Sequence, residues 1–126
     1  MKPGTAFQPV GEGWHLKVSV TFPDRDGKIL ILGFTDAESA PETVCVFEVG
    51  DHEFFTKRTA VNYRRAMAVV ASRCNAGKIK IHDSFSPLQI KRIIEGAHQS
   101  EDLEPIYLRM LPSLGAELDS LISAIT

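Results

Sequence analysis

Apolar and polar residues alternate over residues 14–22, where five apolar side chains are separated by polar ones. This period of two predicts a half-buried β-strand that begins at Trp14. Residues 28–34 are almost continuously apolar and predict a strand that is covered on both faces. Residues 23–27 contain Pro, Asp and Gly, which favour a turn. The two strands are therefore predicted to form a hairpin.

Three more strands are predicted after this hairpin, at residues 43–49, 66–72 and 78–82. Residues 51–63 lack a clean period and predict a loop, with a short strand or helical turn near residues 59–63. Short strands with turn residues between them are typical of a small bent sheet or barrel.

The pattern changes to a helical one at Ser86, which precedes Pro87 and lies three residues before Gln89. A serine N-cap, a proline at the first helical position and a glutamine three residues after the cap favour a helix start. The sequence therefore predicts a helix at about residues 87–98 and a second, C-terminal helix at about residues 113–125. A short helical turn is predicted between them, at residues 106–112.

The chain has 126 residues, which fits a single domain spanning residues 1–126. We predict a mainly β fold with C-terminal helices, in which about residues 12–83 form a strongly bent small barrel. No apolar run approaches the roughly 20 residues of a membrane span, and residues 1–4 do not resemble a signal peptide. We therefore expect a cytoplasmic protein that does not interact with a membrane.

Cysteine and histidine residues show no pair at a usual metal-ligand spacing. Cys45 and Cys74 lie in apolar contexts and are expected to be small buried residues. The sequence predicts no metal site and no cofactor.

The net charge of −2 hides a strong asymmetry along the chain. Residues 57–92 carry nine Lys and Arg residues against one Asp, whereas acidic residues predominate on both sides of this segment. A basic block of this kind is typical of a surface that binds anions or nucleic acid. The same charges are also compatible with a solvated face that pairs with the acidic flanks, and the sequence leaves both interpretations open.

The most distinctive stretch is Gly-Asp-His-Glu-Phe-Phe at residues 50–55, followed by Thr-Ala-Val-Asn-Tyr-Arg-Arg-Ala at residues 59–66. Together with the strand pair that starts with His-Leu-Lys-Val at residues 15–18 and with residues 93–100, it resembles bacterial proteins related to the PemK/MazF toxins. The resemblance covers about residues 14–100 and implies an SH3-like barrel. It also implies an RNA-cleaving component of a toxin–antitoxin pair, with an antitoxin protein as partner and a homodimer as the oligomeric state.

By position, the resemblance implies that Arg25 and Thr59 take part in RNA cleavage. Attack by a 2′-hydroxyl needs proton-transfer groups and a cation that stabilises the phosphate. Histidine titrates near neutrality, so His52 is a candidate acid or base. This hypothesis is a metal-independent endoribonuclease that acts on single-stranded RNA. In the alternative interpretation, Asp51 and His52 stabilise the turn and Arg25 lies at a solvated hairpin tip.

A second hypothesis is a non-enzymatic binding module that recognises nucleic acid or a protein partner through residues 57–65. If Tyr63 is buried, alternation places Asn62 and Arg64 on the opposite face. A small-molecule enzyme is a third hypothesis, and no phosphate loop or nucleophile motif supports it. The candidate nucleic-acid-binding residues are Lys57, Arg58, Arg64 and Arg65.

Overall fold

A computed structural model describes residues 1–11, 15–75 and 77–126. In this part of the chain, strands precede helices. The strands are β1 (Ala6–Pro9), β2 (Lys17–Ser19), β3 (Lys28–Asp36), β4 (Val46–Phe47), β5 (Thr59–Val70) and β6 (Ile79–His82). A 3₁₀ turn at Ala71–Arg73 follows β5, and the helices are α1 (Pro87–Gln99), α2 (Pro105–Leu108) and α3 (Ala116–Ile125).

The strands form one antiparallel sheet in the order β4-β5-β3-β2-β1-β6. Its two ends, β4 and β6, do not pair with each other in the described ranges, so the sheet is open and not closed into a barrel. β4 has only two residues and offers little backbone for a closing ladder. The prediction of a mainly β fold with C-terminal helices is confirmed.

The predicted hairpin is present as β2 and β3, joined by a turn in which Asp24 accepts backbone N–H groups from Asp26 and Lys28. β2 is shorter than the alternating pattern suggested, because it spans only Lys17–Ser19. The predicted start of that strand at Trp14 lies outside the described residues.

The longest strand, β5, replaces two segments that the sequence pattern separated. The predicted loop at residues 51–63 ends early, since Thr59–Val70 is one strand that continues through the predicted break before residue 66. The prediction of a separate strand at residues 66–72 was therefore wrong.

A large bulge in β5 explains this difference. Gly33 of β3 pairs with Asn62, but Ile31 pairs with Met67. Several residues of β5 therefore oppose a short step of β3, which breaks the period of two along β5. A search for simple alternation does not recognise a strand with such an interruption.

The core lies between the inner face of the sheet and the helices. β3 is buried on both faces, as predicted, because Ile29 and Ile31 belong to a second cluster around Phe7 on the opposite side. We call this opposite side the outer face of the sheet. The main cluster combines sheet and helix residues, including Val18, Leu30, Leu32, Val61, Ile90, Ile93, Ile94 and Leu118.

The start of α1 has the predicted capping box. The Ser86 hydroxyl accepts the backbone N–H of Gln89 at 3.1 Å, and the Gln89 side chain accepts the backbone N–H of Ser86 at 2.8 Å. The Gln89 amide nitrogen also donates to the backbone oxygen of Asp51 at 2.8 Å. This contact connects the helix to the turn at residues 50–52.

Among the described residues, none of the helices combines the length and the apolar character needed to cross a membrane. Partly buried side chains of α3, including Leu121 and Ile122, pack against the main core cluster. The apolar stripe of α3 therefore contributes to the intramolecular core.

Candidate functional site

The His52 side chain is buried, with 6% of its surface exposed. Its Nδ1 accepts the backbone N–H of Phe54 at 3.1 Å, so the ring proton lies on Nε2, which donates to the backbone oxygen of Asp83 at 2.6 Å. Both ring nitrogens are therefore used in structural hydrogen bonds. The ring of His52, the candidate acid or base, thus packs inward and connects two loops.

The residues before His52 also stabilise the turn. The Asp51 carboxylate accepts the backbone N–H of Glu48 at 2.7 Å. Gly50 has a φ of +96°, a conformation that side-chain-bearing residues rarely adopt. The Gly-Asp-His pattern is thus explained by local backbone geometry, in agreement with the structural interpretation of Asp51.

Arg25 and Thr59 lie at opposite ends of β3. Arg25 belongs to the turn before Lys28, where β3 begins, whereas Thr59 pairs with Asp36, where β3 ends. At about 3.3 Å per residue, the two ends are roughly 26 Å apart along the strand. The structure therefore does not bring Arg25 and Thr59 together at one phosphate, contrary to the predicted catalytic set.

Thr59 itself is buried, and its hydroxyl donates to the backbone oxygen of Lys57 at 2.9 Å. Thr59 lines a groove of about 280 Å³ together with Phe54 and Lys57. Arg25 is exposed at the hairpin tip, as in the solvated interpretation.

Three of the four predicted nucleic-acid-binding residues form ion pairs with the acidic flanks of the chain. The pair at Lys57 raises the pKa of its ammonium and lowers that of its partner carboxyl, since each favours the charged form of the other. The cation of each pair is exposed to solvent, so each pair contributes little to stability. They are Lys57–Asp36 (2.8 Å), Arg58–Glu48 (3.1 Å) and Arg64–Asp102 (3.3 Å).

Arg65, the fourth residue, lies in a different environment. It lines a groove of about 340 Å³ together with Asn62, Lys17 and His15. Tyr63 is buried, as the expectation for Asn62 and Arg64 required, but Arg65 and not Arg64 lines the groove of Asn62. The Asn62 Oδ1 atom is buried and has no hydrogen-bond partner in the described part of the chain.

A larger groove of about 660 Å³ adjoins the first one on the outer face. Its floor is apolar and includes Phe7, Ile31, Met67 and Val69. The two grooves have Lys17 in common, and no carboxylate occurs among the described residues that line either of them. We call their cationic side chains the basic face, which consists of Lys17, Lys28, Arg65, Arg73 and Lys78.

Sequence reasoning identified only Arg65 of the basic face as a candidate. Lys17 and Lys28 belong to the acidic N-terminal part of the chain, so local charge density gave no signal for them. Strand pairing brings them to the basic residues of the 57–92 segment. The one available signal was the alternation of residues 14–22, which placed Lys17 on the polar side of its strand.

A polar network next to the His52 turn connects Gln8, His82 and Glu53. His82 bonds to the side-chain oxygen of Gln8 at 2.6 Å and lies 3.4 Å from the Glu53 carboxylate. The backbone N–H of Asp83 donates to Glu53 at 3.2 Å and is the main reason that the pKa of Glu53 lies below its usual range. Within the described ranges, no group of three or more His, Cys, Asp or Glu residues is arranged to hold a metal ion.

Comparisons with protein-family models, with curated proteins and with solved structures find no match. The PemK/MazF-like resemblance of residues 14–100 therefore stays a prediction.

Proposed function

We propose that this chain is a non-enzymatic nucleic-acid-binding module that holds single-stranded RNA on the basic face. One observation carries the proposal: five cationic side chains line two adjoining grooves without a carboxylate among the described lining residues. Phosphates are attracted to such a surface, and neutralising them releases counterions. Arg65 belongs to both surfaces, and the basic face thereby replaces the rest of residues 57–65 as the proposed binding surface.

The apolar floor of the larger groove supports a single strand as the ligand. Val10 is 65% exposed and Met67 is 44% exposed, and both line this groove. Unpaired bases are able to pack against apolar side chains while the backbone contacts the cations. In a duplex the bases are stacked inside, so a duplex ligand would make fewer base contacts with this apolar surface.

The buried position of His52 and the separation of Arg25 from Thr59 favour binding without cleavage. General acid–base catalysis needs a proton-transfer group within hydrogen-bond reach of the substrate. Both nitrogens of His52 already have protein partners. An endoribonuclease with an antitoxin partner, which the resemblance implies, stays a prediction outside this proposal.

The test compares two variants with the same change of net charge. Lys17→Glu with Arg73→Glu alters the basic face, whereas Arg58→Glu with Arg64→Glu alters two side chains that form ion pairs with carboxylates. Binding of a fluorescein-labelled oligouridine is measured by anisotropy at low salt. We expect the first variant to bind about tenfold or more weakly and the second to bind nearly as the parent does.

The opposite order of affinities would return the binding surface to residues 57–65. Equal losses in the two variants would mean that net charge alone governs binding, which also contradicts the proposal. A neutral version of the first variant, Lys17→Gln with Arg73→Gln, separates lost attraction from new repulsion. Circular dichroism and thermal unfolding establish that each variant is folded before its affinity is compared.

A further inference from the structure

Strand β6 forms one edge of the sheet and pairs with β1 alone among the described residues. The backbone N–H of Val10 donates to the oxygen of Lys78 at 2.8 Å. Hydrogen-bonded and non-hydrogen-bonded pairs alternate in an antiparallel ladder. Since Ile79 pairs with Pro9 and Ile81 pairs with Phe7, both isoleucines occupy non-hydrogen-bonded positions. Their backbone N–H and C=O groups therefore point away from β1, toward the open edge.

The side chains at this edge extend the apolar surface of the outer face. Ile81 lies opposite Phe7 in the ladder and is 58% exposed. Ile79 packs against the Phe7 cluster and lines the larger groove. An added strand would cover exposed apolar area and would also pair the outward backbone groups of β6.

Charge restricts the sequence of such a strand. Lys80 is exposed on β6, Lys78 is exposed directly before it, and Arg73 lines the adjoining groove. If β6 of a second copy paired antiparallel so that Ile79 faced Ile81, Lys80 would lie opposite its own counterpart. Like charges in directly opposed positions destabilise strand pairing, and edge lysines commonly prevent it. An acidic strand removes this penalty and gains attraction.

We infer that the β6 edge is a strand-addition site for an extended acidic segment of another protein. In that segment, apolar side chains alternate with acidic ones. The apolar side chains lie beside Ile79 and Ile81 on the outer face, while the acidic ones lie beside Lys80 on the other side. This site goes beyond the RNA-binding proposal, because it uses the backbone of β6 and RNA binding does not need that backbone.

The test titrates the ¹⁵N-labelled full chain with a short synthetic peptide in which glutamate alternates with valine. We expect the amide resonances of Ile79 and Ile81 to shift and their hydrogen exchange to slow. Two matched peptides serve as controls: one has lysine in place of glutamate, and the other has N-methyl groups on alternate backbone nitrogens. We expect neither to protect the two amides.

A substitution at the edge provides the second measurement. Ile81→Pro removes the outward N–H and leaves the β1 ladder intact, since residues 78, 80 and 82 supply its hydrogen bonds. We expect the peptide affinity to fall about fivefold in Ile81→Pro, as for the loss of one hydrogen bond, and to stay near the parent value in Ile81→Val. Oligouridine affinity should be the same in both variants.

Three outcomes would overturn the inference, and a fourth distinguishes it from the RNA-binding proposal. If the N-methylated peptide bound as tightly as the unmodified glutamate peptide, strand addition would be excluded. This control uses the parent protein, so it holds even if the Ile81→Pro variant does not fold. Equal binding of the lysine peptide would exclude the acidic partner. Concentration-dependent shifts of Ile79 and Ile81 without any peptide would identify a second copy of the chain as the occupant. Loss of oligouridine binding alone would contradict the RNA proposal and leave the strand-addition site unaffected.

Discussion

The imidazole of His52 stacks on the ring of Phe85, with 4.6 Å between the ring centroids and 18° between the ring planes. Phe85 belongs to the main core cluster and precedes the N-cap of α1. The turn at residues 50–52 is therefore fixed to the start of the helix by a buried ring. The most distinctive residues of the sequence thus maintain the fold, whereas the proposed binding surface is elsewhere on the molecule.

The first prediction concerns this structural role of His52. His52→Phe keeps an aromatic ring beside Phe85 but leaves the Phe54 N–H and the Asp83 oxygen without their partner. We expect the free energy of unfolding to fall by about 2 kcal/mol, as measured by urea denaturation. Arg25→Ala is the control and should change stability by less than about 0.5 kcal/mol, because Arg25 is exposed.

Oligouridine affinity of the folded His52→Phe variant should equal that of the parent. A catalytic histidine would give the opposite pattern, in which RNA cleavage by the parent disappears in the variant while stability changes little. That result would restore the endoribonuclease hypothesis.

The second prediction concerns the contact of β5 with α1. The Tyr63 hydroxyl donates to the backbone oxygen of Ile93 at 2.6 Å, and burial raises the pKa of Tyr63. A Cβ atom at Gly96 would overlap the Tyr63 hydroxyl and lie 2.9 Å from the Cys45 Cβ. We expect Gly96→Ala to destabilise the fold by about 2 kcal/mol in urea denaturation.

A double-mutant cycle tests the cause of that loss. Tyr63→Phe removes the hydroxyl that the new Cβ would overlap, so Gly96→Ala should destabilise the Tyr63→Phe background less than the parent. Strictly additive effects would show that the Tyr63 hydroxyl does not determine the requirement for glycine.

The third prediction is the salt dependence of RNA binding. The logarithm of the affinity for a single strand should fall linearly with the logarithm of salt concentration, by about 0.7 for each phosphate contact. Lys17→Gln should therefore reduce the slope by about 0.7, because Lys17 lies where the two grooves adjoin. Arg64→Gln should leave the slope unchanged, because Arg64 is paired with Asp102. Equal slopes for the parent and Lys17→Gln would exclude a phosphate contact at Lys17.

Features of the fold that depend on residues close together in the sequence were predictable. The capping box needs only Ser86 and Gln89, and the structure confirms it. The hairpin of β2 and β3 depends on a local turn and on the apolar run of β3. In each case, propensity and spacing act within a few residues, so no tertiary information is needed.

Features that depend on pairing between distant segments were not predictable in the same way. β1 (Ala6–Pro9) is short and contains proline, and its position between β2 and β6 is set by the whole sheet. The basic face likewise combines Lys17 with Arg65 and Arg73 across several strands. The count of charged residues along the sequence identified a basic segment. The ion pairs of this segment with its acidic flanks became apparent only in the folded chain.

The fourth prediction is the effect of pH on the loop that contains Glu53. The Asp83 N–H, and after it His82, lowers the pKa of Glu53 below its ordinary value of 4.5. The charged form of Glu53 is therefore more favourable in the folded state than in the unfolded state. Its contribution to stability is fully present above pH 4.5. That contribution decreases as the pH falls through the lower pKa of the folded state. Glu53→Gln keeps a hydrogen-bond acceptor and lacks the charge.

The parent should consequently be more stable than Glu53→Gln at neutral pH, and the difference should disappear in strong acid. Urea denaturation of both proteins between neutral pH and about pH 3 measures this convergence. Asp36 and Glu117 also have lowered pKa values, but both residues are present in both proteins, so their effects cancel in the comparison. A difference that stays constant at low pH would mean that the Glu53 charge does not stabilise the loop.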